Sequence, residues 1–449
     1  MKHRSFAKGL LFVAGGMLLG RATGLLREMT LARVFGVSRS ADLAMFAMTL
    51  PDLLTSLLIG GAIAAVLVPE YHRRVEDAGE PEGRRLVGQT LVMTLAISCL
   101  LAAVLSATAP LWVRLLAPGF EGTDRLRAIG MGRVALLAFP LSAVSAVVMA
   151  YLQIQQRLRT ATLGTAIFNL SAVGIIVALA ATQAASIAAW GVVAGASARA
   201  LLQILAASGG SRFRGAFSRW GEFDQLSRPL ASRYLQALGG IGILVCLPMI
   251  ARAFASHVPG ETAAVSYAIK LAEVPVGLCS AVLSLMVFPR ISQAVQAGRD
   301  ADAARLLVRT GKLVLAILVP AVLLAAWLAE PIVALLFQYG RLSPDAGRLV
   351  ARLAQITMLG VPGAVLTHLA MIGFHARRDA ATPFRWGLGV LAVLVPACYF
   401  ASEQWGIRGV MVATALAQGG YCAVLLWRLK ARCRRSAEDQ CEPSQARAA

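Results

Sequence analysis

Charge is scarce in this chain. Asp, Glu, Lys and Arg make up 15% of its 449 residues, against about 25% in soluble domains. Length alone would suggest about three soluble domains, yet no polar linker divides the sequence. Histidine is rarer still: His3, His72, His257, His368 and His375 form no HExxH or other ligand spacing, so a zinc enzyme has no support. The cysteines, Cys99, Cys246, Cys279, Cys398, Cys422, Cys433 and Cys441, lie mostly inside apolar runs and make no CxxC pair. Neither a metal ribbon nor a disulfide framework is encoded. A GxxxxGK(S/T) segment and a GxSxG elbow are also missing, which argues against an intrinsic P-loop ATPase and an elbow-type hydrolase. No enzyme activity, metal or cofactor is expected. Any work the protein does must draw on an ion gradient, the membrane potential or the gradient of its substrate.

What the chain has instead is apolar length. Hydrophobic residues make up 58% of it and the mean hydropathy is +0.69. Runs of about 20 apolar residues, each long enough to cross a hydrocarbon core, recur from Phe6 to Trp427. The pattern predicts an all-α integral membrane protein of about twelve transmembrane helices. The expected spans are 6–36, 41–69, 86–109, 126–152, 161–182, 185–207, 229–253, 263–288, 306–328, 348–375, 383–401 and 407–428. The N-terminus has the basic start of a signal peptide, but its apolar run continues to Leu19 without a small-residue cleavage site, so it reads as an uncleaved first helix. Of the 43 Lys and Arg residues, about 27 fall in one alternating set of loops and about 8 in the other, which predicts that both termini are cytoplasmic. The net charge of +20 could suit a nucleic-acid binder. That needs a basic stripe on a soluble scaffold, whereas here the cations sit between membrane spans.

The two halves echo each other. Ala32-Arg33-Val34-Phe35 returns as Ala251-Arg252-Ala253-Phe254, and Val68-Pro69 as Phe288-Pro289. Pro140 has a counterpart in Pro362, Arg157 before Thr160 in Arg378 before Thr382, and Trp190-Gly191 in Trp405-Gly406. Five matches in one order at nearly one offset predict a six-helix unit duplicated in tandem. Because six is even, the repeat is parallel, with its axis along the membrane normal. Residues 1–210 would form the N-terminal lobe, 211–430 the C-terminal lobe, and 431–449 a basic, disordered cytoplasmic tail.

Ionisable groups inside a span are costly and mark candidate sites. The first helix carries Arg21, Arg27 and Glu28; from Phe6 to Gly36 it is about 46 Å long at 1.5 Å per residue, which leaves Arg21 near mid-depth. Gly24 offers a point where it could bend. The second helix adds Asp42 and Asp52, the eighth Lys270 and Glu273 before Pro275. Two readings stand side by side. In one, Arg27 or Arg21 pairs with Asp52, Lys270 pairs with Glu273 at i, i+3 spacing, and the pairs only hold helices together. In the other, the cations line a central cavity for phosphate or another anion, for which the guanidinium fork is suited. Arg133, Arg199, Arg233 and Arg352 are expected to snorkel to an interface.

One stretch is more specific. Gly20-Arg21-Ala22-Thr23-Gly24-Leu25-Leu26-Arg27-Glu28, continuing through Ala32-Arg33-Val34-Phe35-Gly36, Ala41-Asp42 and Leu50-Pro51-Asp52-Leu53-Leu54 to Val68-Pro69, resembles the opening of the MurJ/MviN lipid II flippases. Ala117-Pro118-Gly119-Phe120, Tyr267 to Pro275 and Leu336-Phe337-Gln338-Tyr339-Gly340 extend the resemblance to the end of the ninth helix. It implies the fold of the multidrug/oligosaccharidyl-lipid/polysaccharide exporters, two six-helix lobes forming a V around a cationic cavity. It also implies movement of an undecaprenyl-diphosphate-linked disaccharide-pentapeptide to the outer leaflet of the bacterial cytoplasmic (inner) membrane, with coupling to the membrane potential or a monovalent cation. Arg21 and Arg27 stand where the family has essential cavity arginines, and Lys270 where it has a third; these would bind substrate. Asp42 stands where it has a functional aspartate, and Glu28, Asp52 and Glu273 are candidates for gating or charge pairing. Thr55 and Gly60 replace a family arginine and glutamate, and two further C-terminal helices typical of the family have no counterpart. These departures keep open another polyprenyl-linked oligosaccharide, of exopolysaccharide or O-antigen type, as substrate. An ion-coupled drug exporter and a non-transporting cell-wall scaffold are the alternatives of other classes. Expected partners are the lipid-linked saccharide, membrane lipids and cell-wall or polysaccharide synthesis proteins, and no nucleic acid.

Overall fold

The computed structural model describes residues 2–59, 62–208, 246–377, 379 and 381–445. Among them the structure is helical throughout, with α1 (Lys2–Phe35), α2 (Arg39–Ile59), α3 (Ala62–Ala78), α4 (Glu80–Ala107), α5 (Ala109–Leu116), α6 (Gly122–Leu136), α7 (Ala138–Ile154), α8 (Leu158–Ala178) and α9 (Ser186–Ser208). After the undescribed stretch come α10 (Cys246–Ala255), α11 (Glu261–Val282), α12 (Phe288–Gln296), α13 (Asp300–Trp327), α14 (Ala329–Phe337), α15 (Pro344–Ala376) and α16 (Ala381–Gln445). All twelve expected spans fall on these helices, the second and seventh only in part: 60–61, 229–245 and Arg233 lie outside the described residues, as does the expected lobe boundary at 210. Seven stretches are long and apolar enough on their own to cross a membrane, α16 among them. That helix serves for two spans because Gly406 breaks it with φ 58° and ψ −148°, a backbone region that only glycine enters readily.

Local chemistry sets the ends. Ser343 accepts a hydrogen bond from the Ala346 amide at 3.3 Å, ahead of Pro344 and Asp345 in the first turn of α15: a side-chain cap, a proline where no amide partner is needed and an anion at the positive pole. Glu80 and Glu82 open α4, and Asp300 and Asp302 open α13. Leu111, Trp327 and Val393 stand exposed on the outside, as expected where lipid replaces water.

The duplication is visible in three dimensions. Each half carries a 28-residue helix, α4 or α13, followed after a single residue by a short one, α5 of 8 residues or α14 of 9, and Pro110 and Pro331 stand at the second position or next to it in those short helices. The halves then diverge. Expected span 126–152 tightens at Leu137, whose amide reaches back to Val134 at 3.0 Å, three residues ahead of Pro140. Its counterpart α15 continues for 33 residues through Pro362. Proline weakens the turn before it in both, and only the first half tightens to an i, i+3 bond there, with Leu137 still at helical angles. Where a disordered tail was expected, α16 continues as helix to Gln445.

The N-terminal lobe packs α1 on α8, α8 on α9 and α7 on α9; the C-terminal lobe packs α15 against α11, α13 and α16. The lobes touch through α1 and α2 on one side and α11 and α14 on the other. Most of the hydrogen bonds between them gather at one end, where α1 finishes and α2 and α11 begin.

Candidate functional site

At that end the lobes are tied backbone to side chain. Asp42, in the first turn of α2 and completely buried, accepts hydrogen bonds from the amides of Gly260 at 2.6 Å and Ala263 at 2.9 Å. It thus caps α11 of the other lobe, putting a carboxylate on unpaired amides at the positive pole of that helix. Arg39 stands 3.7 Å from Asp42 and 3.4 Å from Asp124 and donates to the Ser256 carbonyl at 2.8 Å. The Ser256 hydroxyl accepts from the Gly119 amide at 2.9 Å, the Tyr267 hydroxyl donates to the Gly36 carbonyl at 3.1 Å, and the Arg341 amide donates to the Arg33 carbonyl at 3.2 Å. These contacts use Gly119 of the Ala117-Pro118-Gly119-Phe120 segment singled out in the sequence, and Arg341, the residue that follows Leu336-Phe337-Gln338-Tyr339-Gly340. Asp42 is therefore part of a closure between lobes, apart from the cations farther back along α1.

About two to four turns earlier along α1, the expected charged residues come together from both lobes. Arg27 is buried and donates to Glu28 at 3.1 Å and Asp52 at 3.0 Å. Lys270 donates to Glu273 at 2.9 Å. Both pairings match one of the two sequence readings. Arg21 differs: it is exposed, makes no ion pair among the described residues, and donates only to the backbone carbonyl of Glu273 across the lobe boundary at 3.2 Å. A Cβ on Gly277 would coincide with its guanidinium, so the missing side chain is what lets Arg21 lie against α11. Gly24, where the helix could bend, admits a neighbour: a Cβ there would meet Lys270 Cε at 3.8 Å and Asn169 Nδ2 at 3.5 Å, and α1 stays helical through it. Asn169 on α8 holds this stretch of α1 through the Gly20 carbonyl at 3.1 Å and the Thr23 hydroxyl at 3.3 Å. Gly60 and the side chain of Thr55 lie outside the described residues.

The carboxylates are the more exposed members of the pairs. Side-chain exposure is 40% for Asp52 against 4% for Arg27, and 40% for Glu273 against 23% for Lys270. Chemically, the site offers one uncommitted guanidinium and two cations masked by carboxylates that face outward. That arrangement can take up a multiply charged anion by exchanging internal for external partners.

Sequence reasoning placed Arg199 at an interface, and the structure corrects this. It is 3% exposed, under α8, because α7 offers a hydroxyl, Ser142, at 2.9 Å, and the Phe168 ring lies 5.0 Å from its guanidinium carbon. Arg133 and Arg352 are exposed. Phe168, Asn169 and Gln203 were not singled out either; a polar side chain recurring at i, i+4 with Arg199, as Gln203 does, was the available signal.

Comparison with known proteins agrees with this architecture. The solved structure of a lipid II flippase MurJ in an inward closed conformation superposes with a TM-score of 0.75 at 18% identity, covering 94% of this chain and 87% of that one. An inward-facing multidrug resistance transporter of the MATE family and MOP superfamily gives 0.77 at 12% identity, covering 93% and 96%. In sequence, the probable lipid II flippase MurJ of Rhizobium meliloti is 26% identical over 440 residues, 94% of this chain and 81% of that protein. The lipid II flippase MurJ of Burkholderia cenocepacia is 24% identical over 399 residues, 86% and 76%. The family model for lipid II flippase MurJ matches residues 31–442, and with that span covered the chain belongs to the lipid II flippase MurJ family.

Proposed function

We propose that this protein moves lipid II, a polyprenyl-diphosphate-linked saccharide carrying a peptide, from the cytoplasmic to the outer leaflet of the bacterial inner membrane. The observation that carries the reading is the layer of Arg21, Arg27 and Lys270 drawn from both lobes at mid-membrane. An anion there has a guanidinium ready in Arg21, and a diphosphate has enough charge to compete with Asp52 for Arg27 and with Glu273 for Lys270. The polyprenyl tail stays in lipid while the head group crosses between the lobes.

The distribution of Lys and Arg supports cytoplasmic termini, so the tied end faces the periplasm and this conformation receives substrate from the cytoplasm. Release on the other side requires the Asp42 cap on α11 and its neighbouring bonds to part and the opposite ends of the lobes to close, which is alternating access between parallel repeats. The membrane potential or a monovalent cation drives the return. Cell-wall synthesis proteins that consume lipid II are the partners this role requires.

Reconstituted protein tests the proposal. Transbilayer movement of lipid II is measured beside an undecaprenyl-diphosphate-linked sugar without peptide, for wild type and Arg21→Ala. Movement of lipid II that falls at least tenfold in the variant, with insertion unchanged, is the expected result. Selective movement of the peptide-free sugar would reassign the protein to another lipid-linked oligosaccharide. Movement of neither overturns the proposal and returns the scaffold and drug-exporter readings.

A further inference from the structure

Arg199 is a buried cation that the flippase mechanism above leaves unused. Its Nη2 donates to the Ser142 hydroxyl at 2.9 Å, its Nε is buried without a partner, and it forms no ion pair among the described residues. A guanidinium in such a shell is costly inside a membrane, and an apolar side chain of similar volume would serve packing at lower cost. The surroundings nevertheless accommodate it. A Cβ on Gly164 would come within 3.1 Å of Arg199 Cγ and 2.6 Å of Gln203 Nε2, so α8 leaves the room that this pair fills, and Gln203, one turn along α9, accepts from the Ser145 hydroxyl.

The ring beside Arg199 is shared. Phe168 lies 5.0 Å from the guanidinium carbon of Arg199 and 6.0 Å from that of Arg27, and Arg27 in turn donates to Asp52 at 3.0 Å. Arg27, Glu28 and Asp52 by themselves carry one negative charge in excess, an unfavourable place for an arriving anion. Arg199 makes the group neutral. If Arg27 lets go of Asp52 to take a phosphate, a carboxylate without compensation would be left beside the bound anion; a second fixed cation behind the Phe168 ring removes that penalty.

We propose that Arg199 is a positioning residue: the fixed counter-charge to Asp52 that allows Arg27 to exchange its carboxylates for the diphosphate. The proposal rests on the flippase reading of the cleft, and its test separates the two. Wild type, Arg199→Gln, Arg199→Lys, Asp52→Asn and the double variant Arg199→Gln/Asp52→Asn are purified, their melting temperatures in detergent recorded, and lipid II flipping measured in proteoliposomes. Arg199→Gln should flip at least tenfold more slowly than wild type, Arg199→Lys should stay within about threefold, and the double variant should match Asp52→Asn within about threefold, because deleting the anion removes the need for the cation. The melting temperature should show the same recovery. A structural role through Ser142 or packing would give additive losses. Additive losses, a Lys variant as slow as the Gln variant, or an Arg199→Gln protein that flips normally each overturn the proposal. Failure of wild type to move lipid II would instead overturn the flippase reading, and the melting temperatures of the same proteins would still decide whether Arg199 and Asp52 are coupled.

Discussion

Replacing Asp42 by Asn should loosen the tied end of the molecule, and the structure sets the size of the effect. In the closed state the two carboxylate oxygens each accept a backbone amide of α11, at 2.6 and 2.9 Å, in a fully buried position. Hydrogen bonds to a charged group contribute about 1.5–3 kcal/mol each. Asparagine can serve one amide with its carbonyl oxygen, but its NH2 group then faces the other amide, donor against donor, so at least one bond is lost. Once the end has opened, water supplies hydrogen-bond partners to either side chain. The substitution should therefore weaken the closed state by about 2–3 kcal/mol relative to the open one, or about 30- to 150-fold at 1.36 kcal/mol per factor of ten. Ala255, fully buried beside the tie, can report this. In a background lacking the native cysteines, an Ala255→Cys thiol should react with a membrane-impermeant maleimide at a rate set by the open fraction. The rate should rise about 30-fold or more on adding Asp42→Asn. A rate within about threefold of the parent would mean that the cap does not hold the lobes together, and the closure argument would fall.

Gly277→Ala should be tolerated by the fold yet disable transport, since the added carbon would coincide with the Arg21 guanidinium, which is exposed and free to move away. A melting temperature within a few degrees of wild type, with flipping lowered at least tenfold, is expected; normal flipping would refute the placement of Arg21 against α11. Outside the membrane, burial opposes ionisation of Asp379, but the Thr382 amide and hydroxyl and the Arg432 guanidinium outweigh it and hold this carboxyl below its ordinary value of 3.8. A depressed carboxylate stabilises the fold fully above that ordinary value and loses its contribution as pH falls through the lower, folded value. The gap in melting temperature between wild type and Asp379→Asn should be constant from about pH 6 to about pH 4 and shrink below it. A gap that stays constant to about pH 2.5 would show that the carboxylate contributes nothing as an anion.

The spans and the duplication were legible because the bilayer imposes a length and an apolar composition on each crossing, and because equal units repeat their breaks: α4 with α5, and α13 with α14. The Lys270–Glu273 pair was legible from i, i+3 spacing alone. The partner of Asp42 was not. It binds backbone amides more than two hundred residues away, and an amide leaves no mark in the sequence. Arg199 misled for the opposite reason. A long cation near the middle of an apolar run reads as a side chain that can snorkel, and only the arrival of Ser142 from α7 and Phe168 from α8 reveals a site built around it. The tightened turn at Leu137 was hidden as well, since Pro140 and Pro362 occupy matching places and only one of the two helices tightens.

Three bare cations in an empty cleft would be costly in a membrane and would bind any phosphate that lipid head groups present. The ion pairs answer both problems. Asp52 and Glu273 satisfy Arg27 and Lys270 while standing outermost, so an approaching anion meets carboxylates first and only Arg21 directly. On the flippase reading, a single phosphate can reach Arg21 but gains too little to dislodge two carboxylates from their partners. A diphosphate brings more charge and more acceptor oxygens, spread over a length that can bridge the lobes. Selection against the abundant phospholipids then follows from the resting pairs themselves, without any contact to the sugar or the peptide. It predicts that neutralising both carboxylates, in Asp52→Asn/Glu273→Gln, should let the protein move phospholipids with one phosphate that the wild type leaves in place, as scrambling of a fluorescent phosphatidylglycerol would show. If scrambling stays at the level of protein-free liposomes, the pairs are structural and selectivity resides elsewhere.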